Sequence, residues 1–452
     1  MTTVRPPQAG RRAPAAGAPA GPEASVRPGA ASGPMSPDLR EAYTSLPAEP
    51  FEVLLPAHRP SDQRPVDPVD PVEPPPAEPP PAEAPPAEPL PAGRRRSGPV
   101  PGREPGVVPA ILAEALPDGS VRCLACAHRC LVRPGRRGIC GVRENRDGTL
   151  VSLVYGQAVA ANLEPIEKKP LYHAWPGSAA YSISTIGCNF HCRFCQNWEI
   201  SQAPREGLTP WTIDLPPDEV VARARATGAR SIAYTYVEPT IFIEYALDTA
   251  RLARAAGLGN VFVTNGYQTP EALEVLAPVL DAANVDLKGF SDRFYRRVCG
   301  ARLQPVLEAL ALMRRLGIWV EVTTLVVPGL NDDPAELTAL AEWIVSELGP
   351  ETPWHVSRFF PAYQMLDVPP TPLRTLAETA RIGRQAGLKH VYPGNAPELG
   401  GNDTRCAACG QLLIRRRGYR IVENALVDGC CPACGSRLAG IGLAEARRKG
   451  VA

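Results

Sequence analysis

The chain has 452 residues, room for two or three domains at roughly 100–200 residues each, so it is not a mini-protein stapled by disulfides. Its 48 Lys+Arg against 47 Asp+Glu leave a formal charge of +1, which argues against a strong attraction of the whole molecule to nucleic acid or an anionic membrane. No apolar run approaches the roughly 20 residues that span a bilayer, and no hydrophobic stretch follows the arginines of MTTVRPPQAGRRAPAAG. A cytoplasmic protein without a membrane partner is therefore expected. In a reducing compartment, 13 cysteines recurring as Cys-x-x-Cys point to metal or redox work before disulfides.

Residues 1–105 hold about half of the 53 prolines and no cysteine, ending in repeats such as EPPPAEPPPAEAPPAEP. Such a segment cannot bury enough apolar surface to offset its ordering entropy, and a disordered, extended Pro/Ala/Glu-rich arm is expected. Residues 106–177 form a Cys-rich segment in which Cys123, Cys126, Cys130 and Cys140 could complete a four-thiolate site, with His128 as a substitute ligand. Zinc, an auxiliary iron–sulfur cluster and loosely placed thiols all fit its irregular spacing. The Glu167-Lys168-Lys169 group that follows reads as a solvated loop, with a role beneath the barrel or near substrate as the alternative.

From residue 178 to 398 strand and helix signals alternate. Apolar runs at 182–187, 231–237, 260–266, 284–289, 319–329 and 353–360 are separated by stretches of helical period such as TIFIEYALDTARLARAAG and DPAELTALAEWIVSELG. Six alternations predict an α/β fold with a parallel sheet and right-handed crossovers, whose chemistry collects at the carboxyl ends of the strands. There the sequence places Glu238, the turn Thr264-Asn265-Gly266, and Asp286 with Lys288.

The sharpest signal is TIGCNFHCRFCQNW, where Cys188, Cys192 and Cys195 form C-x3-C-x2-C. Three thiolates on one loop suit a [4Fe–4S] cluster with one iron left open, and an open iron can bind a substrate or cofactor. The alternative is zinc completed by His191. Glu238 also admits a simpler reading, a carboxylate at a helix N-terminus beside Pro239. Cys299, in a helical stretch, reads as a half-buried small residue.

Residues 399–452 carry Cys406-x2-Cys409 and Cys431-x2-Cys434, each pair followed by Gly and joined by LLIRRRGYRIVEN. This is the spacing of a four-cysteine zinc ribbon, with a second iron–sulfur cluster as its rival and Cys430 as a spare. Arg415, Arg416 and Arg417 on the joining hairpin, with Tyr419, leave open a different class of function, a nucleic-acid or protein docking module around a structural cluster.

The C-x3-C-x-aromatic-C motif, with Phe194 at the aromatic position, resembles the radical S-adenosylmethionine (SAM) superfamily. The longer set CLACAHRCLVRPGRRGICGVREN, EPIEKKPLYHAWPGS, YTYVEPTIF, VDLKGF, PWHVSRFFPAYQM and VYPGNAPE resembles the radical SAM enzyme of the AmmeMemoRadiSam system, related to the pyruvate formate-lyase activating enzymes. The resemblance implies a partial (β/α)6 barrel in which the open iron takes the amino and carboxylate groups of SAM. One electron then cleaves the sulfonium bond, and the 5′-deoxyadenosyl radical abstracts hydrogen from a substrate. It also implies that Glu238 faces the methionine ammonium and that Thr264, Asn265, Gly266, Asp286 and Lys288 line the SAM side. Implied partners are a flavodoxin- or ferredoxin-type electron donor and Memo-like and AMMECR-type proteins. The chain departs from the family's usual Y-N-E-P-T at Val237. It also has Val263 and Tyr363 where glycyl radical activases have an aspartate and a histidine, which argues against the activase role.

Overall fold

The computed structural model describes residues 104–444. The proline-rich arm, up to Arg103, lies outside the described residues, as do the last eight residues of the chain. Glu104, at the end of the expected arm, pairs with Arg146 at 2.6 Å.

The Cys-rich segment opens with two small antiparallel sheets. One joins Val108–Pro109, Thr149–Ser152 and Arg143–Arg146; the other joins Ala113–Ala115, Val121–Cys123 and Leu131–Val132. The chain then enters an eight-stranded sheet made of β1 (Ala160–Pro165), β2 (Ala179–Ser184), β3 (Ser231–Tyr234), β4 (Gly259–Thr264), β5 (Ala282–Asp286), β6 (Trp319–Val326), β7 (Trp354–Arg358) and β8 (Val391–Gly394). The spatial order follows the chain order from β1 to β8, and every neighbouring pair is parallel except β1 with β2. Strands that advance one place at a time, with a helical connection after each, curl into an open barrel. Among the described residues no ladder joins β1 to β8.

The six expected strands are present, but β2 and β3 stop at Ser184 and Tyr234, short of the apolar runs that announce them. The residues beyond leave the sheet to build the loops of its carboxyl edge. The two strands missing from the expectation are the edge strands. The residues of β1 are partly or fully exposed, and β8 contains Pro393, which is tolerated only where a backbone donor is not needed. The inner strands are buried on both faces, Ser-Ile-Ala-Tyr of β3 throughout, as parallel strands between layers must be. Several connecting helices start where their first residues dictate. At α1 (Pro270–Leu276) the Thr269 side chain accepts from the Ala272 amide, and at α2 (Pro334–Trp343) Asp333 accepts from Ala335 and Glu336. In both, proline occupies the first helical turn, where no amide bond is lost.

The segment at Glu167 is not a solvated loop. Glu167 and Lys169 are 1% and 2% exposed, and Tyr172 and His173 are buried under the amino end of the barrel. They are drawn in because Glu321, on β6 and fully buried, accepts from the amides of Tyr172 and His173 at 2.9 and 2.7 Å and meets Nε2 of His355 at 2.7 Å. A buried carboxylate with that many donors satisfies a loop that would otherwise strand its amides.

The C-terminal module is a three-stranded antiparallel sheet, β9 (Thr404–Arg405), β10 (Leu412–Arg417) and β11 (Arg420–Asn424). Arg416 anchors it to the barrel. Its guanidinium is buried, donates to the carbonyl of Tyr172 at 2.9 Å and to Oγ1 of Thr404 at 2.8 Å, and lies 4.3 Å from the Tyr172 ring centre. Arg415 pairs with Glu423 at 3.2 Å. Two of the three arginines read as a candidate basic patch are thus committed within the chain.

Burial, reinforced by His390, holds the His173 imidazole down at about 3, while its two ring nitrogens bond the Ala439 carbonyl at 2.8 Å and the Tyr392 hydroxyl at 2.7 Å. The unfolded chain therefore binds the extra proton first, and His173 contributes stability that is complete above about pH 6.5 and lost as pH falls toward 3. Unfolding free energy should fall by about 1–2 kcal/mol from this group between pH 6.5 and 5.0. Denaturant titration at the two pH values checks this: the drop should shrink in His173→Gln, and an unchanged drop would assign it elsewhere.

Candidate cluster and cofactor site

The loop that leaves β2 carries Cys188, Cys192 and Cys195, and its backbone is clamped from several sides. The amide of Gly187 donates to the Ile200 carbonyl at 2.9 Å, that of His191 to Cys299 at 2.8 Å and that of Arg193 to Val298 at 2.9 Å. The Gln364 amide in turn donates to the Arg193 carbonyl at 2.9 Å. Arg205 reaches the carbonyls of Cys188 at 3.0 Å and Phe190 at 3.3 Å. Gly187 enters the loop at φ +94°, and a Cβ there would sit 2.8 Å from Val142, so no other residue fits that turn.

The three thiols lie in an apolar setting. Burial raises Cys188 and Cys195, while Cys192 is raised by its bond to the thiol of Cys299 and by burial. Backbone amides two residues on, at Phe190 and Asn197, point at the Cys188 and Cys195 sulfurs and favour thiolate there. Cys299 is not half-buried, as its surroundings in sequence suggested, but fully buried at the end of the Tyr295–Cys299 turn. Its thiol lies within hydrogen-bonding range of Cys192. Phe194 is buried beside the loop, with Nζ of Lys288 5.8 Å from its ring centre.

The ends of β3 and β4 meet at Glu238. One oxygen accepts from Oγ1 of Thr264 at 2.8 Å, Oγ1 of Thr240 at 2.5 Å and Nε2 of Gln268 at 3.2 Å; the other accepts from the Asn265 amide at 2.7 Å. Glu238 also caps the short turn Pro239–Phe242 through the Thr240 amide, so the simpler reading of this residue holds alongside its place at the sheet edge. Burial raises its carboxyl while the Thr240 hydroxyl and the Asn265 amide pull it back. Nδ2 of Asn265 donates to Oδ1 of Asn189 at 2.7 Å, which ties the strand ends to the thiol loop. Gly266 turns at φ +70°, where an added Cβ would lie 2.7 Å from Val285. Asp286 and Lys288 pair at 2.9 Å after β5. Burial opposes the ammonium of Lys288, but Asp286 and the nearby Cys192 and Cys299 thiols outweigh it and keep it charged. The residues expected around the site are therefore gathered at one edge of the sheet. Sequence reasoning missed Arg205, Asn189 and Gln268; only Asn189 carried a signal, its place inside the cysteine motif.

In the C-terminal module Cys406 and Cys434 stand 3.6 Å apart sulfur to sulfur, and Cys409 and Cys431 3.7 Å. All four sulfurs lie within 4.8 Å of one another. A tetrahedron with metal–sulfur bonds of about 2.3 Å has edges of about 3.8 Å, so the set suits one four-coordinate ion. Cys430 stays outside it, its thiol toward the Asp428 carbonyl.

A family model described as the Radical SAM superfamily matches residues 182–341. The uncharacterized protein MJ0808 of Methanocaldococcus jannaschii is 44% identical over 331 residues, 73% of this chain and 98% of that protein. The isethionate sulfite-lyase activating enzyme of Nitratidesulfovibrio vulgaris is 27% identical over 168 residues, 35% of this chain and 54% of the enzyme. Among solved structures, a domain of pyruvate-formate lyase-activating enzyme from Bacteroides vulgatus is similar over 36% of this chain and 99% of that domain, at 15% identity and a TM-score of 0.32. Among the described residues no helix is long and apolar enough to cross a membrane.

The spacing of the C-terminal thiols yields a direct expectation. Cys431→Ser should remove about one equivalent of tightly held divalent metal per chain. It should also expose the C-terminal module to protease while the barrel persists. Metal analysis with limited proteolysis checks both, and unchanged metal content would contradict the tetrahedral site.

Proposed function

The chain belongs to the radical SAM superfamily, and from that premise we propose that it is the hydrogen-abstracting radical SAM enzyme of an AmmeMemoRadiSam-type system. The observation that carries the reading is the clamped loop of three thiols, Cys192 buried and Cys188 and Cys195 half-buried, beside a buried carboxylate. Three ligands for four irons leave one iron for the cofactor. The residues present fit both groups: Cys188, Cys192 and Cys195 would hold a [4Fe–4S] cluster, and the Glu238 edge offers a negative charge to an ammonium group. The bound cluster and SAM supply one-electron cleavage of a sulfonium bond followed by hydrogen abstraction.

The chain's own part is positioning and shielding. Glu238 orients Thr264 and the Asn265 amide, Asn265 holds Asn189, and Asn189 sits next to Cys188, so cofactor edge and thiol loop are held as one unit. Phe190, Phe194 and Cys192 are buried and keep the loop apolar, which suits chemistry that water or a stray hydrogen donor would quench. Lys288 places a fixed positive charge beside Cys192, where it would offset the cluster's negative charge. The C-terminal four-cysteine set is read as a structural zinc ribbon, and the reductant as a flavodoxin- or ferredoxin-type protein.

The substrate is proposed to be other than a glycyl radical enzyme: a small molecule, or a side chain on an associated Memo-like or AMMECR-type protein. Val263 and Tyr363 support this. Tyr363 stacks on Trp198 at 5.2 Å between ring centres and donates to Glu206 at 2.5 Å, so the place of the activase imidazole is filled by a phenol already engaged.

Anaerobically reconstituted protein should convert SAM to 5′-deoxyadenosine on reduction, and alanine at Cys188, Cys192 or Cys195 should abolish the conversion. Full conversion by any of the three variants would refute the assignment. Glu238→Gln, which keeps the shape but removes the charge, should weaken SAM binding by about 10- to 100-fold, the worth of a charge-assisted bond. A glycine-centred paramagnetic doublet in a co-incubated formate-lyase-type protein would contradict the substrate half of the proposal.

A further inference from the structure

The second cysteine set, Cys123, Cys126, Cys130 and Cys140, comes together although it spans two small sheets and a long loop. The four side chains line one cavity together with His128, Arg143 and Asn189. Cys123, Cys126 and Cys140 are buried and Cys130 is half-buried. Backbone amides aim at the sulfurs here as they do in the thiol loop: that of His128 at Cys126, that of Ile139 at Cys130 and that of Val142 at Cys140. Two of these lie two residues beyond their cysteine, the pattern already seen at Cys188 and Cys195. Such amides stabilise thiolates that ligate a metal and have little purpose for inert buried thiols.

Two further donors are left over at the same cavity. Nδ2 of Asn189 and Nε of Arg143 are buried without a partner, on residues 1% and 2% exposed. The remaining guanidinium nitrogens of Arg143 are held by Glu244 at 2.7 and 3.2 Å. A buried donor without an acceptor is costly, so a cavity of thiols rimmed by two of them is shaped for an anionic, acceptor-rich occupant.

Spacing separates the candidates. Among the described residues the C-terminal four are the one set of three or more potential ligands whose ligand atoms all lie within 4.8 Å of one another. The Cys123–Cys140 set is wider, as is the thiol loop, and a single tetrahedral ion cannot reach sulfurs spread round a cavity. A cluster can, because each thiolate binds a different iron.

We propose that Cys123, Cys126, Cys130 and Cys140 hold a second iron–sulfur cluster, fully ligated by protein and therefore closed to SAM. It lies against the first site. Nε2 of His128 bonds the Asn189 carbonyl at 2.9 Å, Arg205 joins the carbonyls of Ile139 and Cys188, and a Cβ on Gly187 would meet the Cys140 carbonyl at 2.9 Å. The two cysteine loops thus share one wall.

The test uses the full chain with Cys188, Cys192 and Cys195 all replaced by Ala, which leaves the second set intact. After anaerobic reconstitution this variant should retain about half the iron and acid-labile sulfide of the wild type. On reduction it should give a paramagnetic signal that SAM does not move. The complementary variant, Cys126→Ser with Cys140→Ser, should keep the other half, with a signal that SAM does shift. Absence of iron and sulfide from the triple variant would overturn the proposal, as would a second equivalent of zinc lost only from the Cys126/Cys140 variant. Failure of the radical SAM reading itself would be distinguishable, since it would remove the SAM-shifted signal and leave the SAM-insensitive one.

Discussion

A cluster held by three thiolates has one fewer ligand than it has irons, so the loop that carries them must be fixed by the rest of the protein. If Cys188, Cys192 and Cys195 hold such a cluster, as proposed, this constraint accounts for much of what surrounds them. The loop has no regular structure of its own, yet its amides and carbonyls are bonded to Ile200, Cys299, Val298, Gln364 and Arg205. Those partners come from three parts of the chain, the helical turns just after the loop, the turn at Val298 and Cys299, and Gln364, and the curled parallel sheet brings the last two to the same edge. Arg205 matters most among them because one guanidinium binds the carbonyls of Cys188 and Phe190, next to the first cysteine and within the motif. A planar fork of donors can hold two backbone segments at once, where a lysine would hold a single point.

The same logic applies at both ends of the barrel with different chemistry. At the carboxyl edge Glu238 ties β3 to β4 and, through Asn265 and Asn189, to the thiol loop. At the amino end Glu321 collects the loop at Tyr172 and His173, and Arg416 reaches in from the C-terminal module to the same loop. Each is a buried charge surrounded by hydrogen-bond partners, the condition under which burial is tolerated. Removing a partner would leave an unpaired charge in the interior. The C-terminal module is therefore fastened to the barrel through its own arginine, and a metal held by its four cysteines would indirectly support the floor of the barrel.

Much of this was legible in the sequence. The cysteine motif, the strand runs that end in Glu238, Thr264-Asn265-Gly266 and Asp286/Lys288, and the C-terminal knuckles all occupy the positions their spacing implies. What was hidden depends on tertiary contact. Glu167 and Lys169 look like solvated charges because charge in sequence says nothing about burial, nor about the Arg416 that arrives 249 positions after Glu167. Cys299 is isolated in sequence, and only the fold lays it against Cys192. β1 and β8 are edge strands with mixed or proline-containing sequences, whose pairing is set by the neighbour and not by their own periodicity. The Cys123 set was ambiguous for a related reason: sequence gives the gaps between thiols, whereas the distance across the cavity decides between one ion and a cluster.

The central claim is that the iron without a protein thiolate is the one that takes SAM. Electron–nuclear double resonance on the reduced protein, with SAM carrying 15N in the methionine amine and 17O in its carboxylate, measures that contact directly. The account predicts hyperfine coupling from both labels in the wild type, and its loss in the variant lacking Cys188, Cys192 and Cys195. A reduced, intact cluster at this loop that shows no coupling to either label in the presence of bound SAM would contradict it.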